Sequence, residues 1–174
     1  DIKIGDFLQK GNKQIVAGYS IYGPSTLLVL TLQNAVFKFC LNPQQNVFEC
    51  IAENVMIPKT TQEFSINMSN QRFWRRPIKN YIKDCLLGIE GPRKKNFNMR
   101  WVGSMVADIN RILTKGGIYL YPRDNKMPKK DGRLRLMYEI NPMALIIENA
   151  GGGSFDEKYK NLDSTIMSIH QRGP

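Results

Sequence analysis

The sequence predicts a layered α/β domain in which helices flank a mixed β-sheet. Strand-like runs fill its first third, helical patterns follow, and 42% of its 174 residues are hydrophobic. Strands with interspersed helices are typical of layered domains. A chain of this length buries roughly 70% of its unfolded surface. We therefore expect a single domain over residues 1–174.

Four runs rich in β-branched and aromatic residues predict four strands in the first third. Turn signals separate them, at Gly23-Pro24, Gln33-Asn34 and Asn42-Pro43. The four runs read QIVAGYSIY, STLLVLTL, AVFKFCL and VFECIA.

Three helices and two more strands are predicted after residue 70, and the second of these strands lies within residues 132–144. The first helix follows Pro77, and the second begins near Met105 and ends at Lys115 and Gly116. Their apolar faces are Phe73, Ile78, Tyr81, Ile82, Cys85 and Leu86 in the first, and Met105, Val106, Ile109, Ile112 and Leu113 in the second. The run GGIYLYP predicts a strand. The run NPMALIIENAGGG predicts a short helix with Asn141 as its N-cap and glycines at its end.

The stretch GRLRLMYEINPMA, residues 132–144, predicts a strand that ends on a carboxylate. Side chains alternate along a strand, so Arg133, Arg135, Met137 and Glu139 would share one face, with Leu134, Leu136 and Tyr138 facing the core. Glu139 would then lie at the carboxyl end of the strand, where open α/β sheets bind ligands. An offset of four residues is about 13 Å along a strand. We therefore expect Arg135 and Glu139 to reach opposite sides of one ligand rather than to pair directly.

Positive charge is concentrated in one quarter of the chain. The net charge is +10, and residues 93–135 carry twelve Lys/Arg against three acids. This predicts an anionic partner: a nucleic acid, a membrane surface or a phosphorylated ligand, although charge runs are often only solvated faces. Arg100 beside a helix start, with Arg133 and Arg135 on a strand, favours a small phosphate, because a guanidinium fork binds phosphate oxygens bidentately. Glu139 could add a magnesium ligand, but one carboxylate does not make a metal site.

Other features exclude several classes of protein. One histidine, His170, and three cysteines without a CxxC pair argue against Cys/His zinc sites and histidine triads, and favour a reduced, cytoplasmic setting. We expect His170 to be a loop residue. The mean hydropathy of −0.35 argues against a membrane span. The first residues do not resemble a signal peptide, and a chain that starts at Asp1 is expected to be a fragment or a processed product.

Four ordered blocks closely resemble the carboxyl-terminal half of class I fructose-1,6-bisphosphatases. They are GYSIYGPSTLLVLTL, RWVGSMVADINRILTKGGIYLYP, GRLRLMYEINPMALIIENAGG and the final HQRGP. The resemblance implies a sugar-phosphatase-like carboxyl-terminal domain and hydrolysis of the 1-phosphate of fructose 1,6-bisphosphate in gluconeogenesis. It also implies that activity requires Mg²⁺ or another divalent cation such as Mn²⁺. The expected assembly is a cytoplasmic homotetramer that binds neither nucleic acid nor membrane.

The resemblance also implies roles for individual residues. Glu139 falls on a metal-binding, catalytic glutamate, and Arg135 lies near the 1-phosphate. Arg133 falls on a basic position that contacts the bound sugar phosphate. Arg100 falls on an arginine that enters a neighbouring subunit's pocket. The other expected substrate-binding residues are Asn67, Asn70, Trp101, Gly103, Ser104, Met105, Tyr119 and Tyr121.

The chain departs from the family at four points. Trp101 and Asn70 replace tyrosines, and Arg133 replaces a lysine. The DPLDGSS segment, which carries the family's metal-binding aspartates, does not occur in these 174 residues. We therefore expect the amino-terminal half to be absent and this chain alone to be inactive. Sedoheptulose 1,7-bisphosphatase activity and a non-catalytic nucleic-acid-binding module remain alternatives.

Overall fold

The fold is described by a computed structural model that covers residues 1–32 and 34–174; the predicted Gln33-Asn34 turn lies partly outside these described residues. The strands are β1 Val16–Ile21, β2 Leu27–Leu32, β3 Ala35–Asn42, β4 Val47–Ala52, β5 Glu63–Ile66, β6 Asn98–Met99, β7 Ile118–Leu120, β8 Leu134–Arg135 and β9 Arg172–Gly173. The α-helices are α1 Arg76–Leu86, α2 Met105–Lys115 and α3 Asn141–Asn149.

The chain divides into two compact units, each of which is discontinuous in sequence. Unit 1 comprises Asp1–Ile57 with Arg135–Gln171, and unit 2 comprises Pro58–Leu134 with Arg172–Pro174. The predicted single domain over residues 1–174 stays a prediction.

Unit 1 is built on an antiparallel sheet of β1 to β4, in sequence order. Its register pairs Gly18 with Leu30 and Leu30 with Phe37, so the strands form a simple meander. α3 packs against this sheet, and its side chains Ile146 and Ala144 are buried. Asn149 on α3 donates a hydrogen bond of 2.7 Å to the buried Thr31 hydroxyl, which ties the helix to β2.

Unit 2 contains a short parallel sheet with β5 in the centre, between β6 and β7. α1 and α2 are the helices of this unit. The core contains the buried side chains Phe64, Ile66, Trp74, Ile82 and Cys85. α1 buries Ile82 and Cys85, but Leu86, which was expected on the same apolar face, is 57% exposed at the end of the helix.

A network of charged and polar side chains links β5 to α2 in unit 2. The carboxylate of Asp108 is fully buried; it accepts a hydrogen bond of 2.6 Å from the Ser65 hydroxyl and one of 3.0 Å from Arg111. Arg111 also donates to Glu63 at 2.7 Å. Two carboxylates therefore share Arg111, and the hydrogen bonds from Arg111 and Ser65 offset the cost of burying the Asp108 charge.

Most predicted elements are confirmed. The four strand runs correspond to β1–β4, the two long amphipathic patterns to α1 and α2, and the run GGIYLYP to β7. The α/β class is confirmed, with the antiparallel and parallel strands in separate sheets. Within the part of the chain that the structure describes, no helix is long and apolar enough to cross a membrane.

The strand predicted over residues 133–139 is wrong. Only Leu134 and Arg135 are extended; Leu136–Ile140 forms a wide helical turn that runs directly into α3. Asn141 therefore continues a helical segment and is not its N-cap. Tyr138 is 42% exposed instead of facing the core. The alternating pattern of this stretch also fits one broad helical turn, and α3 extends that turn without a break.

Candidate active site

Four of the predicted substrate-binding residues line one small pocket of unit 2. Asn67, Asn70, Tyr121 and Arg133 surround it, together with Ile66, Trp74, Pro122 and Asp124. Its volume is about 10 Å³, enough for one water molecule. Asn67 turns its side-chain oxygen back to the backbone N–H and hydroxyl of Ser69, at 3.1 and 2.6 Å, and so starts the short helix Met68–Phe73. The polar lining suits a small oxyanion, but the pocket has to widen to admit one.

Arg133 is held in this pocket from several sides. Its guanidinium donates a hydrogen bond of 3.1 Å to the Asp124 carboxylate, and its Cζ lies 5.9 Å from the centre of the Tyr121 ring. Its backbone N–H donates to the carbonyl of Gly173 at 3.1 Å, and its own carbonyl accepts from the Arg172 guanidinium. Hydrogen bonds therefore hold both the main chain and the guanidinium of Arg133.

An aromatic cluster lies at the start of the segment that leads to α2 and along β7. The rings of Trp101 and Tyr119 stack with centroids 5.8 Å apart, and Trp101 lies 5.6 Å from Tyr121. Tyr121 belongs to both this cluster and the pocket, whereas the predicted substrate-binding residues Trp101 and Tyr119 do not line the pocket. The indole at position 101 supplies a broad apolar face where the family resemblance implies a tyrosine.

Gly103, Ser104 and Met105 lie at the amino terminus of α2. Gly103 has a φ of +82°, which a glycine adopts readily, and Ser104 precedes the first helical residue, Met105. None of the three lines the pocket described above. Their expected approach to the sugar stays a prediction.

Arg100 is paired within its own chain. Its Nε lies 3.5 Å from a carboxylate oxygen of Glu63 on β5, and its side chain is 52% exposed. Glu63 is shared with Arg111, so its single negative charge faces two arginines. This shared carboxylate leaves Arg100 in an exposed and incompletely neutralised position.

Arg135 and Glu139 form a direct ion pair in unit 1, which corrects the expectation that they lie too far apart. Arg135 Nη1 lies 3.1 Å from Glu139 Oε1, and its backbone N–H donates to Oε2 at 2.7 Å. The helical turn after β8 carries Glu139 back over Arg135, whereas a continuous strand would have separated them.

The ion pair continues into two further side chains. Arg135 Nε lies 3.4 Å from the Tyr138 hydroxyl, which shares a hydrogen bond of 2.9 Å with His170 Nδ1. The hydrogen bond with Tyr138, and then the charge of Glu139, raise the pKa of the Arg135 guanidinium above its ordinary value. Arg135 is therefore a permanent cation. His170, expected to be a loop residue, contacts this group through Tyr138.

The described residues do not fit a metal centre by themselves. Among residues 1–32 and 34–174, no three His, Cys, Asp or Glu side chains are grouped as cation ligands. Both oxygens of Glu139 are engaged by Arg135. One carboxylate with its charge offset by an arginine does not hold a hard divalent cation alone.

Sequence reasoning missed Asp124, Glu63 and Tyr138. Asp124 stands next to Asn125 in a basic loop and resembles an ordinary turn residue. One feature of the sequence could have indicated it: Asp124 is one of only three acids in the basic segment 93–135, so a basic partner was to be expected. No pattern in the sequence singled out Glu63 or Tyr138.

A larger groove of unit 2 contains none of the predicted site residues. It has a volume of about 560 Å³ and lies along α1. Its lining residues are Gln71, Arg72, Lys79, Lys83, Leu86 and Leu87. This groove and the pocket around Arg133 therefore share no lining residue.

Comparison with known proteins gives two matching family models and a solved structure. Residues 57–174 match the model described as fructose-1-6-bisphosphatase, C-terminal domain, and residues 1–53 match fructose-1-6-bisphosphatase, N-terminal domain. The crystal structure of Leishmania major fructose-1,6-bisphosphatase in holo form is 36% identical, with a TM-score of 0.90. The match covers 97% of this chain and 50% of that one. This chain therefore spans half the length of the structure that it matches.

Proposed function

Because the chain belongs to the fructose-1,6-bisphosphatase family, we propose that the protein containing it hydrolyses the 1-phosphate of fructose 1,6-bisphosphate. The product is fructose 6-phosphate, and the setting we propose is cytoplasmic gluconeogenesis. The observation that carries the proposal is the pocket in which Arg133, Asn67 and Tyr121 meet, on a chain of this family. These residues make up a site of the kind that binds a sugar phosphate, with one fixed cation and several neutral donors.

In the proposed complex, the pocket of unit 2 binds the 6-phosphate. Arg133 supplies charge, the Tyr121 hydroxyl and the Asn67 and Asn70 amides supply further donors, and Trp101 and Tyr119 border the site. The guanidinium uses one donor on Asp124 and keeps others for phosphate. The backbone from Gly103 through Ser104 to Met105 would approach the sugar.

Arg135 and Glu139 are the proposed catalytic residues. Arg135 would stabilise negative charge that develops on the 1-phosphate, since a fixed cation is effective where charge accumulates in the transition state. We propose a requirement for Mg²⁺ or Mn²⁺, with Glu139 as one ligand. Glu139 alone does not suit such an ion, so further acids would have to complete the site.

We propose a homotetramer in which Arg100 reaches the pocket of a neighbouring subunit. The exposure and pairing of Arg100 support this proposal. Its side chain is half exposed, and it shares the single carboxylate of Glu63 with Arg111, so its positive charge is only partly neutralised within its own chain. A second arginine in the pocket would strengthen phosphate binding.

Replacing Arg100 with alanine should raise the KM for fructose 1,6-bisphosphate about tenfold with little change in kcat, because one charged hydrogen bond to phosphate is lost. Steady-state kinetics of the full-length protein would measure this. Arg76→Ala, on the exposed start of α1, is the matched control. An unchanged KM would remove Arg100 from the pocket.

The function itself is tested by phosphate release from the full-length protein with fructose 1,6-bisphosphate, in parallel with sedoheptulose 1,7-bisphosphate. We expect faster release from the fructose substrate, dependence on a divalent cation, and no release by the 174-residue chain alone. Preferred turnover of the sedoheptulose substrate would change the substrate assignment. No turnover, together with salt-dependent binding to nucleic acid, would replace the proposed enzyme with a binding module.

A further inference from the structure

Asp124 is an acid in a pocket that the proposed function assigns to a phosphate. Its side chain is 5% exposed, and it lines the pocket beside Arg133. An unpaired carboxylate at this position would repel an anion. Its charge is instead offset by the guanidinium of Arg133, at 3.1 Å.

The Asp124 carboxylate is fixed before any ligand binds. Its second oxygen accepts the backbone N–H of Lys126 at 3.0 Å. The main chain of Asp124 forms an isolated antiparallel β-bridge with that of Trp74. Beside it, the N–H of Asn125 donates a hydrogen bond of 2.9 Å to the carbonyl of Phe73. Trp74 belongs to the core of unit 2, so the position of the carboxylate is set by the core.

The hydrogen bond to Asp124 uses only part of the Arg133 fork. A guanidinium has five N–H donors in a rigid plane, and the contact to Asp124 is made through Nη2. Fixing one side of a rigid plane fixes the direction of the other donors. A guanidinium that is oriented before binding loses less entropy when it takes up a phosphate.

We infer that Asp124 is a positioning residue that orients the Arg133 guanidinium toward the phosphate farthest from the reacting centre. The inference rests on the proposed function. It assigns Asp124 to recognition of the 6-phosphate. The residue then affects substrate affinity and the preference for a bisphosphate over a monophosphate, but it does not affect the rate of the chemical step.

The test uses Asp124→Asn in the full-length protein, since asparagine keeps the shape and the acceptor for Lys126 but loses the charge. We expect the KM for fructose 1,6-bisphosphate to rise about tenfold with kcat within about twofold of wild type, the size of one charged hydrogen bond. Kinetics with fructose 1-phosphate, which lacks the distal phosphate, should not change. In an Arg133→Met background the same substitution should have less than about a twofold further effect, because the two residues act as a pair.

Asp131→Asn is the control, since it removes an acid from the same loop, and it should leave KM unchanged. A lower KM in Asp124→Asn would overturn the inference, because the carboxylate would then only repel the substrate. Equal losses with both substrates would also overturn it, since they would indicate a general structural role.

Calorimetric binding of fructose 6-phosphate separates this inference from the proposed function. If wild type binds fructose 6-phosphate and Asp124→Asn binds it about tenfold more weakly, the inference stands even if no bisphosphate is hydrolysed. If wild type hydrolyses fructose 1,6-bisphosphate and the variant matches it in both assays, the inference fails while the function stands. A wild-type protein that neither binds nor hydrolyses these sugars overturns both.

Discussion

Replacing Glu139 with glutamine should lower the kcat for fructose 1,6-bisphosphate about 100-fold while KM changes by less than about threefold. Glutamine keeps an acceptor for the backbone N–H of Arg135 but loses the charge that holds its guanidinium at 3.1 Å. The proposed contribution of Glu139 to a divalent-cation site would be lost as well. Both losses affect the transition state more than substrate binding, so kcat should carry the effect.

The measurement is steady-state kinetics of the full-length protein with saturating divalent cation. Glu148→Gln is a matched control, because Glu148 is a partly buried glutamate on α3 that pairs with Lys160 at 3.6 Å. It should retain most of the turnover. If Glu139→Gln raised KM as much as it lowered kcat, Glu139 would be a substrate-binding residue rather than a catalytic one.

Replacing Asp108 with alanine should lower the free energy of unfolding by about 3–5 kcal/mol. The substitution leaves Arg111 paired only with Glu63, and it removes the acceptor of the buried Ser65 hydroxyl. This loss is costly because the buried Ser65 hydroxyl cannot bond to water instead, and Arg111 keeps only one of its two carboxylate partners. Urea unfolding followed by circular dichroism would measure the loss.

Two further variants show whether the loss comes from the buried charge. Ser65→Ala removes one neutral partner, and we expect a cost of about 1 kcal/mol. Asp163→Ala removes an exposed carboxylate that accepts from Asn12, and it should cost less than about 0.5 kcal/mol. Similar losses for Asp108→Ala and Asp163→Ala would mean that burial of the network adds nothing.

The sequence predicts most helices and strands of this chain because their apolar residues follow one clear period. α2 has apolar residues at helical spacing and a glycine at its end, and β2 and β3 are unbroken β-branched and aromatic runs. The prediction of a strand is wrong for residues 136–140, which form a helical turn. A stretch of five residues is too short for its apolar pattern to distinguish a strand from a broad helical turn. The turn continues directly into α3, so its helical conformation depends on residues that follow the stretch.

The sequence was sufficient to name several residues of the candidate site, but not the side chains that they contact. Asn67, Asn70, Tyr121 and Arg133 were selected by resemblance, and they line one pocket. The partners that orient these side chains come from distant positions in the sequence or from an ordinary turn. Asp124 lies nine residues from Arg133, and nothing in the spacing indicates that the two meet. The ion pair of Arg135 with Glu139 depended on the turn that was mispredicted.

The interleaving of the two units has a consequence for synthesis of the chain on the ribosome. Residues 58–134 of unit 2 emerge long before Arg172 and Gly173, whose main chain and guanidinium hold the backbone of Arg133. All of Arg135–Gln171, which belongs to unit 1, is translated in between. A nascent chain can therefore assemble its parallel sheet early, but it acquires the contacts that hold the backbone of Arg133 only when Arg172 and Gly173 have been released.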